Sequence, residues 1–248
     1  GGFGVLKDTA KGFQLFQNAV NNSSILALNS LGHCYHHGIG IPQDYKKAKE
    51  LYEMAISRLP TYGAPHNNLG VLYKCGLGCD IDVNRGIELY QKASDLKCYT
   101  GTSNLAVYYD NLGNYDQSVK LHEVAIKEGN IVISMKRLAL IYEKGLGTCN
   151  IDLEKSRDLL KMALTTLRQE NVQDKKEIDV IVERIYNLYK STVLKDNYED
   201  TINFFNQMGL PGKLQMLYKF DNTIMNYIFS NIDLNKKIET NKKLILAP

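Results

Sequence analysis

Charge imbalance is nearly absent from these 248 residues, whose formal net charge is +3. A chain so close to neutral has no electrostatic case for gripping nucleic acid or an anionic membrane surface. Long apolar runs are missing too: no stretch of about 18 apolar residues occurs, so no membrane span is encoded. Cysteine is scarce and odd in number, with Cys34, Cys75, Cys79, Cys98 and Cys149 at irregular spacing. That pattern does not make a disulfide framework and fits free thiols in a reducing, cytoplasmic compartment. Catalytic signatures are also lacking. No Gly-x-Ser-x-Gly, His-Glu-x-x-His, Walker or Cys-x-x-Cys motif is found, so no catalytic residue, cofactor or metal is expected.

What is present is a globular composition, 44% hydrophobic and 23% charged, and a phrase that returns. It reads Leu31-Gly32-x-x-Tyr35-x-x-Gly38-x-Gly40, then Asp44, Ala48, Leu51, Tyr52 and Ala55. It returns as Leu69-Gly70-x-x-Tyr73-x-x-Gly76-x-Gly78, then Asp82, Gly86, Leu89, Tyr90 and Ala93. A third version runs Leu138-Ala139-x-x-Tyr142-x-x-Gly145-x-Gly147, then Asp152, Ser156, Leu159, Leu160 and Ala163. At the start, Gly2-x-Gly4, Asp8, Gly12, Leu15, Phe16 and Ala19 match only the loop and second helix, as in a piece of a longer protein. Two-helix repeats of roughly 33–40 residues stack into solenoids.

Each repeated position has a physical job. Leu28, Leu31 and Tyr35 make an apolar stripe at helical spacing. Gly32, Gly70, Ala106 and Ala139 are the small residues beside it, and they let a second helix approach closely. Ala48, Leu51, Tyr52 and Ala55 form the facing stripe. Asp8, Asp44, Asp82, Asp116 and Asp152 each precede a second helix, where a carboxylate satisfies an orphan amide and opposes the helix dipole. The Gly-x-Gly loops lack the third glycine and lysine of a phosphate cradle, so they read as helix-ending turns.

This phrase resembles the Sel-1-like repeat, a longer-looped relative of the tetratricopeptide repeat, from residue 2 to about residue 163. The resemblance implies an all-α fold, a right-handed α-α superhelix of helix pairs, and a role as adaptor or scaffold with no catalytic residues. The fourth unit, with Leu105, Ala106, Tyr109, Asp116, Ser118 and Ala125, lacks the Gly-x-Gly insert and has a plain tetratricopeptide-like turn. A sixth, degenerate unit is carried by Ile185 and Tyr189, then Asn197, Thr201, Phe204, Phe205 and Met208. Between them the polar stretch from Arg168 to Lys176 calls for an extended second helix, a loop, or both. The expected organisation is an array over residues 1–210, of about five to six units, followed by capping helices and a basic tail over 211–248. Eleven to fourteen helices in all are expected, roughly two per unit.

The expected site is the groove lined by the first helices. Opposite the packing stripe stand Asn29, His33 and His36, then Asn67, Val71 and Lys74. Ser103, Val107 and Asp110 follow, then Lys136, Leu140 and Glu143. That mixed polar surface suits a protein or peptide partner, not nucleic acid. The competing reading is a regulatory or substrate-binding array within a longer enzyme, such as a ubiquitin ligase or kinase-linked signalling protein. His33 with His37, and Cys75 with Cys79, are each four apart, but structural zinc wants four ligands.

Overall fold

The computed structural model describes residues 8–170 and 174–192, and every regular element among them is a helix. In order they are α1 (Thr9–Asn21), α2 (Ile25–His37), α3 (Tyr45–Arg58), α4 (Gly63–Cys75) and α5 (Val83–Asp95). Then come α6 (Tyr99–Asn111), α7 (Tyr115–Gly129), α8 (Val132–Lys144), α9 (Leu153–Gln169) and α10 (Lys175–Thr192). The ten helices fit the expected helix pairs, while the second helix expected from Asn197 to Met208 and everything after Gly212 lie outside the described residues. The chain divides into two compact units, Gly1–Asp152 and Leu153–Pro248.

In the first unit the pairs α2/α3, α4/α5 and α6/α7 are the closest-packed neighbours, and each second helix also packs on the first helix that follows it. First helices touch one another in turn, α2 on α4, α4 on α6 and α6 on α8, whereas second helices do not pack together to a comparable extent. The more closely packed side of a curved stack is its inner side, so the first helices form this unit's inner row.

Small and large residues fit together across each pair. Leu28 and Tyr52 are fully buried, and a Cβ on Gly32 would stand 2.7 Å from Cε1 of the Tyr52 ring. Gly70 faces Tyr90 in the same way, and a Cβ there would also press the Gly86 carbonyl oxygen at 3.0 Å. In the fourth repeat the tyrosine slot holds His122, also fully buried, and the first helix answers with Ala106. Glycine under tyrosine and alanine under a smaller ring keep the packing volume matched.

The Gly-x-Gly loops do two different things. Gly38, Gly76 and Gly145 end first helices in the left-handed conformation, their N–H groups donating to Cys34, Leu72 and Ile141. The second glycine docks the loop on the preceding repeat: a Cβ on Gly40 would overlap the Thr9 carbonyl, and one on Gly78 would stand 2.7 Å from the Tyr45 carbonyl carbon. The insert therefore ties each repeat to the start of the second helix before it.

Capping follows the expected pattern at three sites. Asp8, Asp44 and Asp82 accept from the N–H groups of Lys11, Lys47 and Arg85, each at 2.9 Å. The backbone N–H groups of Asp44, Asp82, Asn114 and Asp152 donate back to the carbonyls of Tyr35, Tyr73, Tyr109 and Tyr142. The fourth unit corrects the sequence reading. Asn114 caps α7, accepting from Gln117 N–H at 3.3 Å, while Asp116 lies inside the first turn. Asp116 Oδ1 instead accepts from the Thr148 amide at 2.9 Å and its hydroxyl at 2.8 Å. The loop from Tyr109 to the cap is four residues shorter than those from Tyr35 and Tyr73, so the cap slot falls on Asn114, and the carboxylate two residues beyond it became an inter-repeat tie.

In the second unit α9 packs on α10. Leu160, Ala163, Leu164 and Leu167 are buried on α9, and Ile181, Val182, Ile185 and Leu188 on α10. The 17-residue α9 is the extended second helix that the polar stretch after Ala163 called for.

Candidate partner-binding face

On the inner row, side-chain amides form a ladder. Asn68 Nδ2 donates to Asn29 Oδ1 at 3.0 Å, Asn67 Nδ2 to Asn68 Oδ1 at 3.1 Å, and Asn104 Nδ2 to Asn67 Oδ1 at 2.8 Å. The ladder crosses α2, α4 and α6 and follows a rule. The asparagine just before the repeat's stripe leucine bonds to the residue two before that leucine in the preceding repeat. Asn29 and Asn67 were expected on this face; Asn68 and Asn104 were not. Their signal was available, since both stand directly before Leu69 and Leu105.

The expected groove residues divide sharply by burial. His33 is exposed, and Asn29, Val71, Lys74, Val107, Lys136, Leu140 and Glu143 are half-buried. Lys74 Nζ lies 5.9 Å over the Tyr90 ring, a cation–π distance, and neither Lys136 nor Glu143 is without a partner. Asn67, His36 and Ser103 are buried, and the Asp110 side chain is only 7% exposed. These four were read as lining a free face, and all four bond between helices instead. Asn67 is consumed within the ladder, and His36 Nδ1 lies 3.5 Å from the Tyr52 hydroxyl. Ser103 accepts from Ser134 Oγ at 2.8 Å.

Asp110 belongs to a buried relay. Its Oδ2 is 3.1 Å from His122 Nε2, and His122 Nδ1 is 3.0 Å from Ser134 Oγ. Burial pushes the Asp110 carboxyl up, but the His122 hydrogen bond and charge, with Arg137, hold it below the ordinary carboxylate value. Carboxylate, imidazole and hydroxyl stand in the order of an acyl-transfer triad. Yet His122, Ser134 and Ser103 are all fully buried, and Ser134 turns its hydroxyl to Ser103. No carbonyl substrate reaches that oxygen, so the relay joins α6, α7 and α8 structurally.

At the end of α2 three imidazoles gather. His33 and His37 have ring centroids 4.3 Å apart, and His36 stacks on His37 at 4.3 Å with rings parallel to 1°. Burial and the neighbouring imidazoles, His37 before His33, bring His36 down to about 4. Burial, then His37, lowers His33 as well. No cluster of three or more His, Cys, Asp or Glu able to hold a metal ion occurs among the described residues. Cys34, Cys75, Cys79, Cys98 and Cys149 are all free thiols. No helix among the described residues is long and apolar enough to cross a membrane. On the opposite side, α3 and α5 part over α4 to leave a cleft of about 400 Å³ lined by Ile56, His66, Tyr73, Leu89 and Lys92.

The Sel1 repeat family model matches residues 1–24, 25–58, 66–98 and 132–165, together half of the chain. The chain belongs to the Sel1 repeat family, whose repeats form helical scaffolds for protein–protein interaction. Two solved structures agree on the fold. A Sel1 repeat protein from Oxalobacter formigenes is 20% identical with a TM-score of 0.54, covering 74% of this chain and 81% of its own. An immunity protein from Pseudomonas aeruginosa is 15% identical with a TM-score of 0.51, covering 75% of this chain and 76% of its own. A protective antigen with an SLR fold from uropathogenic Escherichia coli is 16% identical, covering 98% of this chain and 56% of its own, with a TM-score of 0.45. No curated protein matches the sequence.

Proposed function

We propose that this chain is a non-catalytic adaptor whose first-helix groove takes up an extended segment of a partner protein. The asparagine ladder carries this reading. An amide side chain donates and accepts as a peptide main chain does, and each has more bonding capacity than the ladder uses. Asn29, Asn68 and Asn104 stay half-exposed. Packed helices stand about 8–10 Å apart and an extended chain advances about 3.3 Å per residue. A peptide crossing the row therefore meets a new rung about every three residues. Val71 and Val107, half-buried beside the ladder, add apolar contact. A row of neutral amides on a chain of net charge +3 favours a peptide over a polyanion.

The test begins with affinity purification on the intact chain and mapping of the partner segment by cross-linking. That purified segment is then titrated against wild type and an N29A/N68A/N104A variant, at a temperature where melting curves show both folded. The expected result is about tenfold weaker binding, or about 1.4 kcal/mol. Binding that survives this change and is lost on altering Ile56 and Lys92 would move the site to the cleft on the second-helix side.

A further inference from the structure

One core position is filled differently in one repeat, and a cleft opens there. Three residues before the stripe leucine stand Leu28, His66, Thr102 and Met135 in successive repeats. Leu28, Thr102 and Met135 are 0%, 1% and 0% exposed, and the Thr102 hydroxyl is satisfied by Ser94 Oγ at 2.8 Å. His66 is 5% exposed and lines the cleft of about 400 Å³ between α3 and α5, a volume in the range of ligand pockets. Its Nδ1 lies 3.0 Å from the Tyr62 carbonyl oxygen, which can only accept, so Nδ1 carries the proton. Burial lowers the His66 pKa against that hydrogen bond, and the Lys92 charge lowers it further. The ring is therefore neutral at neutral pH, and Nε2 keeps its lone pair. Nε2 makes no hydrogen bond and is not among the buried unpartnered atoms of the described residues, so it is open to solvent. The opening it faces is the cleft.

We propose that this cleft receives the side chain of a tyrosine from a partner protein. Ile56, Leu69, Tyr73 and Leu89 give it an apolar wall, and Lys92 stands at its exposed edge. Lys92 has no carboxylate partner among the described residues, and its charge acts on His66. A group bound between the two must donate to Nε2 and accept from the ammonium. A carboxylate meets the Nε2 lone pair with its own, and a second ammonium meets Lys92. An indole N–H satisfies the histidine but has nothing to accept from the lysine. A phenolic hydroxyl does both, and its ring buries apolar area against the wall. The rim favours a ring held by a protein. Glu53 pairs with Lys49 at 3.3 Å, and Arg85 with Glu88 at 3.6 Å. An apolar pocket inside a ring of charged pairs is the anatomy of an interface anchor site, where tyrosine is enriched. This inference is independent of the groove reading, because the cleft lies on the second-helix side.

The test titrates N-acetyl-tyrosinamide and N-acetyl-phenylalaninamide into the full chain, followed by the magnetic resonance shifts of backbone amides and of the His66 ring. The tyrosine derivative should bind about tenfold tighter, the worth of a hydrogen-bonded hydroxyl, with shifts confined to α3, α4 and α5. H66L installs the residue type that Leu28 already places in this register, and should bind the two derivatives equally. K92M alters an exposed side chain, so it should leave the melting curve unchanged and narrow the preference; it decides the matter should H66L fail to fold. No binding of the tyrosine derivative, or equal affinity for the two in wild type, overturns the proposal. So does a preference that either folded variant leaves intact, or a set of shifts centred on other helices. Binding of free para-ethylphenol with none of N-acetyl-tyrosinamide overturns it too, since the cleft then takes a small phenol and no protein side chain.

Discussion

His122 Nε2 stands 3.1 Å from Asp110 Oδ2, joining the two helices of the fourth repeat across a buried interface. In the preceding repeats the equivalent slot holds Tyr52 and Tyr90. Exchanging a large ring for a histidine obliges the first helix to present a partner, and Asp110 supplies it one turn beyond Ala106. Removing the histidine leaves a carboxylate that is already short of partners, since Asp110 Oδ1 has no hydrogen bond among the described residues. H122A is therefore expected to lose about 3 kcal/mol in urea unfolding, as breaking one side of a buried pair does. D110N, which keeps a polar acceptor at lower charge, should lose less.

The helix pairs were legible because the stripe and the small–large alternation recur at fixed offsets. Gly32, Tyr52 and Gly38 each occupy the place their spacing implied. Asp116 was not legible, because counting aspartates hides its two-residue offset from the cap position, which registering Ser118 and Ala125 against Ala48 and Ala55 places at Asn114. Ser103 and Asp110 were read as solvent-facing because they lie off the leucine stripe. Their burial depends on Ser134 and His122, which reach them from other helices. The ladder was half-legible for a similar reason. Asn29 and Asn67 share a column, but the bonds run between two columns of successive repeats, a pairing that one-column periodicity does not display.

Asp82 and Asp116 look alike in sequence and should fail differently. D82A removes the acceptor of the Arg85 amide and should cost about 1 kcal/mol, with faster hydrogen exchange confined to the first turn of α5. D116A releases the Thr148 amide and hydroxyl while Asn114 keeps capping α7. Exchange should then quicken at Thr148, with little change at Gln117. Fraying of α7 in D116A would restore the capping role to Asp116.

The imidazole cluster makes stability fall with acid. His36 is held to about 4 by burial and by His37 and His33, and the Tyr45 and Tyr52 rings pack against it without supplying an anion. An unfolded chain takes up that proton near pH 6.5. The stabilisation is complete above that value and is lost as pH falls from about 6.5 towards 4. The low-lying Asp110 carboxyl adds a loss in the same direction at lower pH. Urea unfolding of wild type should lose on the order of 1–3 kcal/mol between pH 7 and 4.5 from this histidine. H36Q should flatten that part of the profile; an unchanged slope would assign the acid sensitivity elsewhere.

Gly32 and Tyr52 offer the sharpest check on the packing rule. In an open helix, replacing glycine by alanine gains about 1 kcal/mol. Here the new methyl would stand 2.7 Å from Cε1 and 2.9 Å from Cδ1 of a fully buried ring. The ring has nowhere to go, so G32A is expected to destabilise by about 1–3 kcal/mol through overpacking. Y52L alone should also destabilise, through the volume it removes. Together they should cost less than the sum, because the smaller side chain vacates the space the methyl needs. The fourth repeat already combines Ala106 with a ring smaller than tyrosine at His122. A double-mutant cycle on urea unfolding measures the coupling, expected to favour the pair by about 1 kcal/mol or more. Strict additivity would mean that the glycine is kept for the helix backbone and not for the tyrosine above it.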